Sequence, residues 1–284
     1  GLLFLFCLLM LCGCTHITEF MENTEVSGRE VESLAAEKED DTVLLGGMPV
    51  GIYMETDGVL VLDTEKMTGM DGKEYIPAQG VVSSGDYITE VNHQKIEGKK
   101  QLMDLVEHLD GEKVLLTVRR ENTILEKKLT PVQISKGNYR LGIWVRDNVQ
   151  GLGTITFLTK NNRFAALGHG IHDIDTSTLL TIKRGTLYRT SIQKVQKGSK
   201  GNPGTMEGII VYNRFHRLGV IEKNTDAGIY GELNSDRSWI GEEVPIQVAK
   251  KEEIKTGEAR IRCYIDGEVK EYTICITQID KESD

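Results

Sequence analysis

Only one stretch of this chain, Lys99–Leu109, places apolar residues at helical spacing, with Leu102, Leu105, Val106 and Leu109 at i, i+3, i+4 and i+7. Every other patterned segment is short and strand-like. Val50–Met54, Val59–Leu62, Tyr87–Val91, Val114–Val118 and Thr123–Leu129 carry β-branched and aromatic residues between glycine or aspartate turns. The 30 glycines, set against 5 prolines and 6% aromatics, fit a turn-rich β protein and not a helical bundle. At 284 residues the chain has room for roughly two domains of ordinary size. A mainly β fold is expected.

The formal charge of −9 is unevenly spread. Thr15–Asp41 holds nine acidic residues against Arg29 and Lys38, a net −7, so the rest of the chain is close to neutral. With no basic patch dense enough to neutralise several phosphates, no nucleic-acid partner is expected. The acidic run reads as a solvated, disordered tether over residues 15–43. In front of it, residues 1–14 are uncharged and almost wholly apolar. They are shorter than the roughly 20 residues a membrane-crossing helix needs. Such a segment resembles the apolar core of a signal sequence whose front is missing, an uncleaved signal anchor, or a lipoprotein leader with Cys14 as the lipidated residue. All three imply export and a membrane association through the N-terminus.

The body of the chain has two cysteines, Cys263 and Cys275. A two-residue turn at Asp266-Gly267 would pair Cys263 with Lys270 and turn Cys275 to the opposite face, so two free thiols are expected. Ile261, Cys263 and Ile265 would then share a face with Tyr272, Ile274 and Ile276, suited to packing on a sheet.

Residues 44–132 resemble a PDZ domain of the bacterial protease type, a small β-sandwich with helices. The resemblance lies in the glycine loop Leu45-Gly46-Gly47-Met48-Pro49-Val50-Gly51, in Ser84-Gly85-Asp86-Tyr87-Ile88-Thr89-Glu90-Val91-Asn92, in the helix, and in the Leu115–Arg119 strand. It implies a peptide partner that adds as an extra strand. Gly46, Gly47, Val50 and Gly51 would form the loop, Ile52–Met54 the edge, and the helix from Leu102 to Leu109 the far wall. The plainer reading is that the glycines make a tight turn.

The stretch richest in chemistry is Ala165-Ala166-Leu167-Gly168-His169-Gly170-Ile171-His172-Asp173-Ile174-Asp175-Thr176. Glycines on both sides of His169 let a substrate or another backbone approach, and an imidazole is suited to general-base work near neutral pH. A purely structural histidine is the bland alternative. A metal reading competes, because His169, His172, Asp173 and Asp175 are all possible ligands of a divalent ion, but His93, His108 and His216 offer no further anchor. No metal or cofactor is expected. Ser199 stands between glycines like a nucleophile, but nothing in the sequence sets a base or oxyanion donors beside it.

Four blocks in order resemble the SpoIVB family of sporulation serine peptidases. They are Arg146–Phe157, then Ala166–His169 with Asp173 and Asp175-Thr176, then Lys197–Gly204, and then Asn224-Thr225 through Gly228–Gly231. The resemblance implies an export segment, a PDZ domain, and a trypsin-like β-barrel peptidase domain over residues 133–284. It also implies endoproteolysis in signalling during endospore formation, in the space between the forespore and mother cell membranes. His169 matches the family's general base. The family's nucleophilic serine lies in a G-M-S-G-S-P block, with its orienting aspartate shortly before it, and neither occurs here, so the chain is expected to be an inactive fragment with an incomplete barrel. A non-catalytic exported PDZ module that binds peptides is the runner-up, and a metal-dependent hydrolase centred on His169 and His172 is the third reading.

Overall fold

The computed structural model describes residues 42–280, save Glu242 and Asp266. The expected export segment and the acidic run through Asp41 lie outside the described residues. Thr42 and Val43, read from sequence as the end of the tether, already belong to a strand.

In chain order the main elements begin with β1 (Thr42–Leu45), β2 (Pro49–Thr64), β3 (Tyr87–Val91) and helix α1 (Lys99–Glu107). Next come β4 (Val114–Arg120), β5 (Thr123–Leu129), β6 (Ile143–Leu158), β7 (Arg163–Ala166) and β8 (Ile182–Tyr188). The hairpins β9 (Thr190–Gln196) with β10 (Thr205–Ile210), and β11 (Arg217–Thr225) with β12 (Gly228–Leu233), follow. β13 (Pro245–Gln247), β14 (Gly257–Tyr264) and β15 (Val269–Ile276) come last. The fold is mainly β, as expected.

Two strands of 16 residues each, β2 and β6, organise the molecule. At about 3.3 Å per residue each is long enough to run through two structural units. Their paired halves Pro49–Glu55 and Asn148–Thr154 belong to one unit, and Leu60–Thr64 and Ile143–Arg146 to the other. Between the halves the register shifts at Arg146–Asn148, a bulge that bends the pair.

In the first unit, Gly51 of β2 pairs with Leu152 of β6 on one edge and with Tyr188 of β8 on the other. β8 then pairs with β11, β11 with β12, β12 with β7, and β7 returns to β6. At Phe157 and Leu158, β6 holds β1 on one edge and β7 on the other, so these six antiparallel strands complete a hydrogen-bonded circuit. Val50, Ile52 and Met54 from β2, Ile155 and Leu158 from β6, and Phe164, Leu187, Ile221 and Ile229 fill it, all buried. Gly231 marks how closely the walls approach, since a Cβ there would stand 1.9 Å from the Val220 carbonyl oxygen.

The second unit is the expected PDZ-type module. The outer half of β2 continues through β3, β4 and β5, and α1 covers the resulting core of Val59, Val61, Ile88, Leu102, Leu116 and Val118. The helix ends close to where the periodicity predicts, with His108 as its C-cap and Gly111 at φ 95° just beyond. Its N-cap, Gly98, offers no side-chain bond, and the first amide, Lys99 N–H, instead donates to the Asp147 carboxylate of β6 at 2.7 Å. The turn of the Gly85-Asp86 motif is structural: buried Asp86 accepts the Ser83 amide and a two-pronged bond from Arg120 at 2.7 and 2.8 Å.

Strand pairing therefore divides the chain differently from the boundaries expected at residues 44 and 133. The PDZ-type module is spliced between two strands of the circuit, taking an inner strand from β2 and one outer strand from β6. The expected peptide-binding loop is corrected for the same reason. Gly46 and Gly47 N–H already donate to the carbonyls of Thr156 and Ile155 at 3.0 and 2.7 Å. Val50, Gly51 and Ile52 are buried, and Gly51 and Ile52 are paired on both edges, so no free edge exists there. Ile52→Ala is expected to cost about 2–5 kcal/mol in urea unfolding, as a core truncation does. A loss under about 0.5 kcal/mol would place Ile52 outside the core.

The last hairpin follows the expected register, with Cys263 opposite Lys270 and both thiols free. Asp266 of its turn lies outside the described residues. Among the described residues β14 and β15 pair only with each other, and Ile261 and Ile274 stay exposed while Cys263, Ile265, Tyr272 and Ile276 are half-buried, so the face is covered only in part.

Candidate active site

His169 sits just past the end of β7, on the turn Leu167-Gly168-His169. The chain reverses there through two left-handed residues, Leu167 at φ 75° and Gly168 at φ 82°. Leu167 N–H is tied to the Thr154 carbonyl of β6 at 3.0 Å, and Gly170 N–H to the Asp226 carbonyl at 3.0 Å. Gly170 is required by packing, because a Cβ would meet the Thr225 oxygen and Leu179 Cδ1 at 2.5 Å each. The result is an exposed imidazole on a backbone fastened on both sides.

The ring is fixed by one bond. Nδ1 of His169 lies 3.0 Å from the Gly170 carbonyl oxygen. A carbonyl can only accept, so this contact suits the neutral tautomer protonated at Nδ1, with Nε2 left free of it. That is the tautomer a general base needs. His172 approaches the same oxygen through Nδ1 at 3.3 Å, and its Nε2 lies 3.8 Å from the Asp226 carboxylate.

The two carboxylates do not orient His169. Asp173 is buried and receives Arg146 Nη1 at 2.5 Å together with the amides of Asp175 and Thr176, both at 3.0 Å. Asp175 takes the other arm of the same guanidinium at 2.9 Å. Both therefore shape the turn after His169, the local role the sequence allowed them. Among the described residues no group of three His, Cys, Asp or Glu side chains is placed to hold a metal ion. Ser199 is far along the β9–β10 hairpin, where its backbone exchanges hydrogen bonds with Asn202.

The PDZ-type module packs directly on this loop. Tyr87 of β3 lies in a small core with Leu60 and Leu180, and its hydroxyl accepts the Thr181 amide at 3.1 Å. Burial raises the Tyr87 pKa, which keeps the phenol neutral. Arg146 and Asp147, adjacent on the bulge of β6, face opposite ways: one holds the histidine loop, the other caps α1.

The cleft beside α1 is built on a different strand from the one expected by sequence. Leu102, Met103 and Val106 of α1 face Arg140–Val145 across a cleft of about 790 Å³. Ile143–Arg146 pair with β2 along one edge, and among the described residues no strand occupies the other. Gly142, at φ 67°, turns the chain into this edge. Leu102 lines this cleft, while Leu109 packs into the module core. The signal for the groove was Tyr139-Arg140-Leu141-Gly142-Ile143, a second glycine turn ahead of a strand.

The chain thus joins a six-strand antiparallel circuit to a PDZ-type module, with the exposed His169 just past the end of β7. The SpoIVB peptidase S55 family model matches residues 137–284, more than half of the chain, and the chain belongs to that family. A Helicobacter pylori strain J99 protein named "Putative zinc metalloprotease" is 31% identical over 110 residues, which cover 34% of this chain and 31% of that relative. The chain thus spans about a third of that relative's length. A solved PDZ domain, from the SdrC-like protein of Listeria monocytogenes, is 23% identical with a TM-score of 0.26, covering 31% of this chain and 87% of its own. The PDZ topology given above rests on this chain's own strand pairing.

Proposed function

We propose that the protein is a serine endopeptidase in which His169 is the general base, with the nucleophilic serine supplied by sequence beyond Asp284. The observation that carries this is the contact of His169 Nδ1 with the Gly170 carbonyl, which leaves Nε2 free of it at an exposed rim. Nε2 takes the hydroxyl proton as the serine attacks a peptide carbonyl, and then returns it to the leaving amine. Membership of the SpoIVB family supports export and a role in proteolytic signalling during endospore formation. Sequencing past Asp284 tests the assignment: a G-x-S-G-S-P block supports it, and a stop codon directly after Asp284 in independent isolates leaves a peptide-binding module without catalysis.

The groove between α1 and Ile143–Val145 binds an extended peptide as an added strand, its apolar side chains against Leu102 and Val106. Val106→Lys is expected to weaken binding of fluorescent peptides ending in an aliphatic residue by about tenfold or more, measured by anisotropy. Unchanged binding would move the site away from α1.

A further inference from the structure

The hairpin of β9 and β10 carries charge that the peptidase chemistry does not use. Residues 189–217, the hairpin with its flanking turns, hold Arg189, Lys194, Lys197, Lys200, Arg214 and Arg217 against the single acid Glu207, a net +5 in a chain of −9. Spaced along the sequence these cations are sparse, and the hairpin with its turns gathers them on one element. Lys194 pairs with Glu207 at 3.8 Å and Arg189 with Asp236 at 3.6 Å, which leaves the other four cations without an acidic partner among the described residues. The tip that bears Lys197 and Lys200 holds a fixed shape. Ser199 and Asn202 exchange backbone hydrogen bonds at 2.8 and 2.9 Å, with Gly201 at φ 82° between them. A Cβ on Gly204 would stand 2.6 Å from the Gln196 carbonyl oxygen, so the strands close tightly beneath the tip. At the other end of the hairpin, Ile210 packs on Gly51, whose added Cβ would meet Ile210 Cγ2 at 2.6 Å. Strand alternation therefore turns Ile209 outward, and it is 56% exposed. Val211 and Phe215 follow it at the surface, Phe215 at 76% exposure with the Arg214 guanidinium over its ring at 4.7 Å.

We propose that this hairpin docks on an anionic lipid surface, with Lys197, Lys200 and Arg214 meeting the headgroups and Ile209, Val211 and Phe215 entering the interface. Single exposed apolar side chains are ordinary. Three of them within Ile209–Phe215, beside four unpaired cations, make a composition that holds protein segments to anionic bilayers. The surface potential draws the charges, and partial burial draws the apolar groups. An acidic peptide would answer the charges alone, whereas a bilayer places an apolar layer directly behind a charged one. The uncharged, apolar residues 1–14 of the same chain suit the same kind of surface.

The experiment is hydrogen exchange, read by mass spectrometry, on the 284-residue chain with two kinds of vesicle. One is phosphatidylcholine alone, and the other is phosphatidylcholine with an equal part of phosphatidylglycerol. Residues 1–14 would hold the chain on either vesicle, so the readout is slowed exchange within residues 197–215 and not the amount bound. Anionic vesicles should slow these amides, and neutral vesicles should not. Raised salt should reverse the slowing, because it screens the pull between the lysines and the headgroups. Lys197→Gln combined with Lys200→Gln should lose the slowing, and Phe215→Ser should lose most of it, in proteins that match the wild type at β11 and β12 without vesicles. Should a variant fail that match, the wild-type contrast between the two vesicles still decides. Equal slowing on both vesicles, slowing on neither, or undiminished slowing in the folded double variant overturns the proposal. Slowing by soluble polyglutamate and by neither vesicle also overturns it, and assigns the surface to an acidic protein partner.

Discussion

His169→Ala, made in the chain extended through its downstream sequence, should lower proteolysis by about 10,000-fold or more in kcat while the protein keeps its fold. The size of the effect follows from the chemistry. A serine hydroxyl without a base is a poor nucleophile, and what remains is substrate binding and oxyanion stabilisation. The fold should survive because the imidazole is exposed and makes its hydrogen bond to the neighbouring carbonyl alone. His172→Ala should cost far less than His169→Ala, since its Nε2 faces Asp226 at 3.8 Å and no proton-transfer role is left for it. Kinetics of the two variants side by side give the answer. Equal losses would mean that the two imidazoles work as a pair.

Arg146→Met should destabilise the described unit by about 3–5 kcal/mol in urea unfolding, the largest stability effect expected of a charged residue here. The Asp173 carboxylate it faces is fully buried, and removing the guanidinium leaves that charge with two backbone amides alone. Arg146→Lys should recover part of the loss, because an ammonium can reach one carboxylate but cannot bridge Asp173 and Asp175 at once. If Arg146→Met unfolds with the wild-type midpoint, the Arg146–Asp173 pair does not hold the loop. The loop carries the candidate base, so this variant should also loosen the amides of residues 171–180 in hydrogen exchange.

What the sequence disclosed was local. The α1 periodicity, the strands from Val59 to Leu129 and the register of the Cys263–Cys275 hairpin each follow from patterns a few residues wide, and each holds in the structure. The circuit was hidden because Pro49–Glu55 finds its partners in β6 and β8, strands that lie far along the chain, and no local pattern names them. For that reason a glycine loop ahead of a strand was read as a groove, although it lies in a core. The cleft beside α1 has a similar signature at Leu141-Gly142-Ile143, and only tertiary pairing tells the two apart.

The site was legible to a similar depth. His169 stood out by its flanking glycines, and Asp173 and Asp175 were open to either a turn or an orienting role until Arg146 claimed them both. Arg146 lay in a recognisable block without an assigned task. An arginine on a strand is a common residue, and its role depends on a loop contributed by another part of the chain.

The most direct measurement is labelling by a serine-directed phosphonate, followed by mapping of the modified residue. The account predicts no labelling of the 284-residue chain, stoichiometric labelling of the extended protein at a serine beyond Asp284, and loss of that labelling in His169→Ala. Labelling within the 284 residues, at Ser199 for instance, or undiminished labelling of His169→Ala, would contradict it.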